Sequence, residues 1–297
     1  MNGSATANSG GKTGIARKAP QIAISLVAAL VLASCASLGG PIFSERNDDA
    51  IYGPSQSNLT SLSQVIAQHP ADPQAYNMRG SAYGEAGMNK QALADFDKAI
   101  SLDPNYTQAY SNRGLVYRHM NQPSLALQDY DKAISSESTY APAYLGRGIV
   151  YSLQGKTVQA LADFNKAIAL RPANPEAYYN RGLLYQAQGQ HQFAIDDFTT
   201  AISLAPRRSE AYVARALSYL AVNNNSAAAS DLDQAVQIDP TDPKAWASRG
   251  LAYERLGQKD KAAGSYAKAL NLNDKYAPAV AGFARVGGEV GKAYETF

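Results

Sequence analysis

Cysteine is almost absent from this chain, with Cys35 alone among 297 residues. A single thiol closes no internal disulfide, so the fold rests on no disulfide framework. Histidine is nearly as scarce. His69, His119 and His191 stand far apart, none with a second His or Cys nearby, so metal-site spacing is missing. An excess of one charge is missing too: with Lys12, Arg17 and Lys18 of the first 34 residues set aside, 24 basic side chains face 25 acidic ones. A near-neutral body with interspersed signs carries no electrostatic footprint for nucleic acid. Catalytic constellations are lacking. Asp196 and Asp197 are neighbours in a helical stretch, so they point about 100° apart and cannot flank one bond. No Ser-His-Asp or Cys-His arrangement is present. The residues point to no enzyme, no cofactor and no metal.

A long apolar run is also missing. The run from Ile22 to Ala33 is too short for a stable bilayer span, which needs ~20 residues. A basic region, a short apolar stretch and Ser34-Cys35 read as a secretory signal covering residues 1–34. Leu32-Ala33-Ser34-Cys35 resembles the bacterial lipobox, which implies cleavage before Cys35 and acylation of its thiol and new amine. Several acyl chains anchor stably where one binds marginally. Ala36, rather than Asp, follows the cysteine, which under that resemblance implies the outer membrane, periplasmic face. Residues 35–57, rich in Gly, Pro, Asn and Asp, read as a flexible linker; about 20 such residues span on the order of 25 Å. Gly11-Lys12-Thr13 ends like a phosphate-binding loop, but Thr6 stands where that motif needs its first glycine.

What the chain has in abundance is tyrosine, 19 of them, and they recur. Tyr76, Tyr110, Tyr144, Tyr178, Tyr212 and Trp246 follow one another at 34-residue steps. Four residues on lie Gly80, Gly114, Gly148, Gly182, Ala216 and Gly250, and three further on a tyrosine in every unit, from Tyr83 to Tyr253. The second half of each unit repeats Ala, a large residue, then Ala: Ala92, Phe96 and Ala99 in the first, Ala262, Tyr266 and Ala269 in the last. Steps of four and three put these side chains on one helical face, twice per unit. Small residues let two helices approach while aromatics fill the gap between ridges.

This pattern resembles the tetratricopeptide repeat (TPR), with its W-x2-L-G-x2-Y…A-x3-F…P signature. The resemblance implies an all-α, right-handed α-solenoid of helix hairpins. It covers six repeats, at 73–106, 107–140, 141–174, 175–208, 209–242 and 243–276. A half repeat at 58–72, with Leu59, Leu62, Val65 and Ile66, precedes them, and a capping helix and tail at 277–297 follows.

One position departs from that pattern. Where the family prefers a medium apolar residue, this chain has Arg79, Arg113, Arg147, Arg181, Arg215 and Arg249. Sixteen residues later stand Asp95, Asp129, Asp163, Asp197 and Asp231, then Ser265. Two readings remain: structural pairing between helices, or an arginine ladder for anionic ligands. A matched acid for five of six arginines favours pairing.

Specificity is expected where the units differ. In the family the concave groove is lined by variable first-helix positions, which here include Asn77, Leu145, Ile149, Tyr179 and Val213. Nearer the helix ends they include Arg118, His119, Gln186, Leu220, Glu254 and Arg255. The expectation is an apolar groove with polar ends, suited to an extended peptide or amphipathic helix. Asn77 and Ser81 do not match the carboxylate clamp of the chaperone-binding members. Lipobox, linker and repeats together resemble the NlpI-like envelope lipoproteins. That resemblance implies a periplasmic adaptor, homodimeric in that family, that gathers peptidoglycan hydrolases and a processing protease. Two other readings stay open: a pilus- or secretion-system assembly lipoprotein, and an envelope glycan- or peptide-binding protein.

Overall fold

The computed structural model describes residue 1, residues 56–289 and residues 291, 292 and 294. The expected signal beyond residue 1, Cys35 and the expected linker up to residue 55 lie outside the described residues, and residues 56 and 57, expected in the linker, begin the first helix. Among the described residues the chain forms only helices. These are α1 (Gln56–Gln68), α2 (Pro73–Glu85), α3 (Asn89–Leu102), α4 (Thr107–His119), α5 (Pro123–Ser136), α6 (Ala141–Leu153) and α7 (Thr157–Leu170). They continue as α8 (Pro175–Ala187), α9 (His191–Leu204), α10 (Ser209–Ala221), α11 (Asn225–Ile238), α12 (Pro243–Arg255), α13 (Lys259–Leu272) and α14 (Ala277–Arg285). None of these is long and apolar enough to cross a membrane.

Each 34-residue unit is a hairpin of an even-numbered helix and the odd-numbered helix after it. Each second helix also packs on the next first helix, so the units stack into an α-solenoid. The starts are written locally: Asp72, Asn174 and Asp242 accept the N–H two residues on, and proline follows each at the first helical position. The turn inside each hairpin needs one left-handed residue, and the sequence supplies Gly87, Asn121, Gly155, Gly189, Asn223 and Gly257 at the same phase, with φ between 55° and 75°. The next N–H then closes onto the carbonyl of the repeated tyrosine, from Met88 on Tyr83 at 2.8 Å to Gln258 on Tyr253 at 2.9 Å.

The core is the anchor set. Ala92, Phe96, Ala99, Ala160, Phe164, Ala194 and Phe198 are buried, and Tyr130 and Tyr266 nearly so. At the front, Leu59 and Leu62 of α1 pack against Ala82, Met78 and Tyr83. Val65, expected on that apolar face, is instead turned to solvent. At the rear, Ala279 and Phe283 of α14 join the cluster of the last two repeats while Val280 is exposed. Glu254 closes this end, accepting from Arg285 at 2.8 Å and from the Tyr266 hydroxyl at 2.6 Å.

Candidate functional site

The arginine row joins three helices at every repeat. Arg113 gives a two-point fork to Asp129, from Nε at 2.8 Å and Nη2 at 2.7 Å, and its Nη1 reaches back to Asp97 at 2.6 Å. Arg147 does the same with Asp163 and Asp131. Arg79, Arg181 and Arg215 fork onto Asp95, Asp197 and Asp231 and reach back to Ser63, Asn165 and Thr199. The backward partner also lies 16 residues away, on the second helix of the preceding unit. Where the forward acid is lost, Arg249 bonds Ser265 at 2.9 Å and Asp233 at 2.6 Å, and Tyr253 also donates to Asp233. Each guanidinium lies near the aromatic rings three before and four after it, as Arg113 does at 5.5 Å from Tyr110 and 5.9 Å from Tyr117. Burial pushes the Asp129 carboxyl up, against the pull of Arg113. The backward partners are missing from the sequence reading, although the spacing of 16 carries them as plainly as the forward ones.

The residues expected to line the groove divide into interior and surface. Leu145 and Ile149 belong to the buried cluster around Phe164, and Val213 and Leu220 to the one around Leu232 and Trp246. They are core, because adjacent first helices lie close enough to cover them. Gln186 is also buried. Its amide nitrogen donates to Ala214 O and Ser218 Oγ, each at 2.8 Å, stitching α8 to α10. Asn77 is buried beneath Asn112, which donates to it at 3.1 Å. Arg255, half-buried, donates to Leu220 O at 2.6 Å, and Glu254 is held by Arg285. Gln186 and Asn77 thus hold neighbouring helices from the interior, whereas Arg255 and Glu254 do so while partly exposed.

Tyr179, Arg118 and His119 remain partly accessible. His119 is half-buried beside Arg118; burial first, and that cation second, bring its imidazole down to about 4, so it is neutral near pH 7. Tyr179 is the better-built feature. Its ring lies 5.8 Å from Phe198, and the Arg208 guanidinium sits 5.6 Å over it. Arg208 is ion-paired with Glu176, whose backbone carbonyl accepts from Asn180 Nδ2 at 2.8 Å. Burial raises the pKa of the Tyr179 hydroxyl, keeping it protonated. Leu183, half-buried, packs into the same cluster one turn on. The first-helix face at the junction of the fourth and fifth repeats thus offers an aromatic edge, a carboxylate, a guanidinium and an amide within a few residues. Arg208 and Glu176 belong to this feature and are absent from the sequence reading. They occupy the last and the second positions of the same repeat, 32 residues apart, which only packing unites.

Models of the tetratricopeptide repeat match residues 73–106, 107–140, 175–208 and 243–276. A further TPR model matches 150–189 and 218–257, so the matches together cover more than half of the chain. No curated protein matches it. Among solved structures, a chain of the APC/C hetero-tetramer Cut9-Hcn1 aligns with a TM-score of 0.69 at 17% identity, over 78% of this chain and 46% of that one. This chain therefore spans less than half of that relative. PilF of Pseudomonas aeruginosa aligns with a TM-score of 0.67 at 20% identity, over 74% of this chain and 99% of that one. A repeat protein of Parabacteroides merdae gives 0.54 at 20% identity, over 78% and 92%. At these identities the likeness is one of fold.

Proposed function

Because the chain belongs to the tetratricopeptide repeat family, we propose that it is a binding scaffold, not an enzyme, tethered to the bacterial outer membrane by a lipid on Cys35 and holding envelope protein partners on its first-helix face. One observation carries the choice of face. The Tyr179 cluster places aromatic, acidic, basic and amide groups together on the first-helix side, where a peptide backbone and a side-chain anchor find both hydrogen bonds and apolar contact. The arginine row, by contrast, is committed to its own carboxylates. The lipobox-like Leu32-Ala33-Ser34-Cys35 supports the tether. Peptidoglycan hydrolases and a processing protease, the class implied by the NlpI-like resemblance, are the first partners to look for.

The test is site-specific photo-crosslinking in intact envelopes. A crosslinker at Leu183 is expected to yield protein adducts, while one at Lys166, on a second helix, is not. Adducts from Lys166 alone would place the binding face on the other side of the solenoid. Cys35→Ser is expected to release the chain from the membrane fraction; retention at wild-type level would remove the tether.

A further inference from the structure

Three successive second helices begin with a large apolar side chain facing solvent: Leu125 in α5, Val158 in α7 and Phe193 in α9, the last two 79% and 59% exposed. Leu153, at the end of α6, is 56% exposed beside them. The other second helices begin with polar or small residues: Asn89-Lys90-Gln91, Asn225-Ser226-Ala227 and Lys259-Asp260-Lys261. The patch is therefore centred on the middle of one edge, where first helices turn into second helices. Met88, Val222 and Leu256, about as exposed as Leu125 but less so than Leu153, Val158 and Phe193, continue it towards both ends. Around its centre acids are missing. Residues 119–127, 151–161 and 185–195 hold no Asp or Glu, and Lys156 stands between Leu153 and Val158. The opposite edge, where one repeat passes to the next, is charged throughout: it carries Asp103, Glu137, Asp239, Asp242 and Asp274, and also Arg171, Arg207, Arg208 and Lys275.

The second helices run parallel, so α1, a lone second helix, also begins on the apolar edge. The chain thus enters the solenoid there at Gln56, 21 residues after Cys35. A linker of that length reaches on the order of 25 Å. Three repeat spacings separate the start of α1 from that of α7, each wider than the ~10 Å of packed helices because successive second helices do not pack on one another. The tether thus joins the solenoid on the same edge as the patch.

We propose that this edge rests on the lipid bilayer, with Leu125, Leu153, Val158 and Phe193 in the boundary between headgroups and acyl chains and Lys156 over anionic headgroups. The proposal rests on the lipid tether at Cys35. It orients the solenoid edge-on, leaving the first-helix face open sideways to partners rather than pressed against the membrane.

The experiment uses the full-length acylated chain, extracted in detergent and returned to vesicles of phosphatidylethanolamine and phosphatidylglycerol that contain a nitroxide-labelled lipid. With Cys35 acylated, Val158→Cys or Ser138→Cys supplies the one free thiol for a fluorophore. Ser138 lies on the opposite edge, about 21 Å away along a 14-residue helix. The expected result is flotation with the vesicles, loss of most emission from the label at 158, and little loss at 138. Leu153→Ser combined with Phe193→Ser, both at exposed positions, should abolish quenching at 158 while flotation persists. Flotation with no quenching at 158 overturns the edge and leaves the tether standing, as does quenching at 138 or dimer crosslinking through 158. Failure to float overturns the tether and the edge with it.

Discussion

Gly146→Ala tests how the helices are fitted. A Cβ at that site would stand 2.4 Å from Cζ of Tyr130 and 2.7 Å from its hydroxyl oxygen. Non-bonded contacts that short do not occur between real atoms, so either the ring or the helix must move. The chain's own repeats make the same point. The residue equivalent to Gly146 is Asn112, Asn180, Ala214 or Ser248 wherever the preceding second helix carries Phe96, Phe164, Phe198 or Leu232. It is glycine, Gly146 or Gly282, only where that helix carries Tyr130 or Tyr266. Two effects oppose each other. Alanine is a better helix former than glycine by ~1 kcal/mol, whereas overpacking a filled core costs ~1–3 kcal/mol. At this distance the overlap wins, for a net loss of about 1–2 kcal/mol and a Tm lower by roughly 3–6 °C for a body of this size. Tyr130→Phe in the same chain should recover most of it, because phenylalanine coexists with a Cβ at this position in three repeats. Urea denaturation of the two single variants and the double one gives a coupling of about 1–2 kcal/mol. A Gly146→Ala variant more stable than wild type, or one equally destabilised when combined with Tyr130→Phe, would refute the argument.

Arg181→Ala leaves Asp197 buried without its fork, and its melting should fall by the equivalent of about 2–4 kcal/mol, with Arg181→Lys recovering only part because an ammonium makes no two-point contact. Unchanged melting with partner capture lost would instead make the row a binding device. His119 supplies a pH dependence of known sign. Its folded-state value of about 4 lies below the unfolded ~6.5, so the unfolded chain takes the proton first, and stability is full above about 6.5 and declines as pH falls towards about 4. With partial exposure the loss is about 1–2 kcal/mol. His119→Gln should flatten that part of the Tm-versus-pH curve, and an unaltered slope would assign it to other groups.

The repeat phase was legible because it rests on anchors that contact only their own hairpin or its neighbour. Tyr76 to Trp246, Gly80 to Gly250 and Ala92 to Ala262 recur whatever lies between them. The groove was not legible for a related reason. A position label gives the side of a helix, not how near the next helix comes, and at Leu145, Ile149, Val213 and Leu220 the next helix comes close enough to bury the side chain. Gln186 illustrates the difference well. Its place in the repeat matches that of Arg118, yet it lies under α10, bonded to Ala214 and Ser218. The left-handed turn residues were legible in principle, since glycine or asparagine occupies that phase in all six units.

The two readings of the arginine row are separated by geometry rather than by composition. A ladder built for anionic ligands needs donors that face outward. Here each guanidinium directs donors to the second helices of two successive repeats, and aromatic rings lie near it on both sides. A phosphate or carboxylate would have to displace an ion pair that is itself partly desolvated, and would leave a buried aspartate without a partner. The row therefore sets the spacing and angle between repeats, which also explains why it does not vary while its backward partners do. Ser63, Asn165 and Thr199 serve as well as Asp97 and Asp131, because a hydroxyl or amide oxygen satisfies the third donor once the forward acid has neutralised the charge, whereas Arg249, with Ser265 forward, keeps its acid backward at Asp233. Under the proposed function, recognition falls to positions that vary between repeats, and on the first-helix face Tyr179 and Arg208 are two such positions: no other repeat has a tyrosine at the place of Tyr179 or an arginine at the place of Arg208.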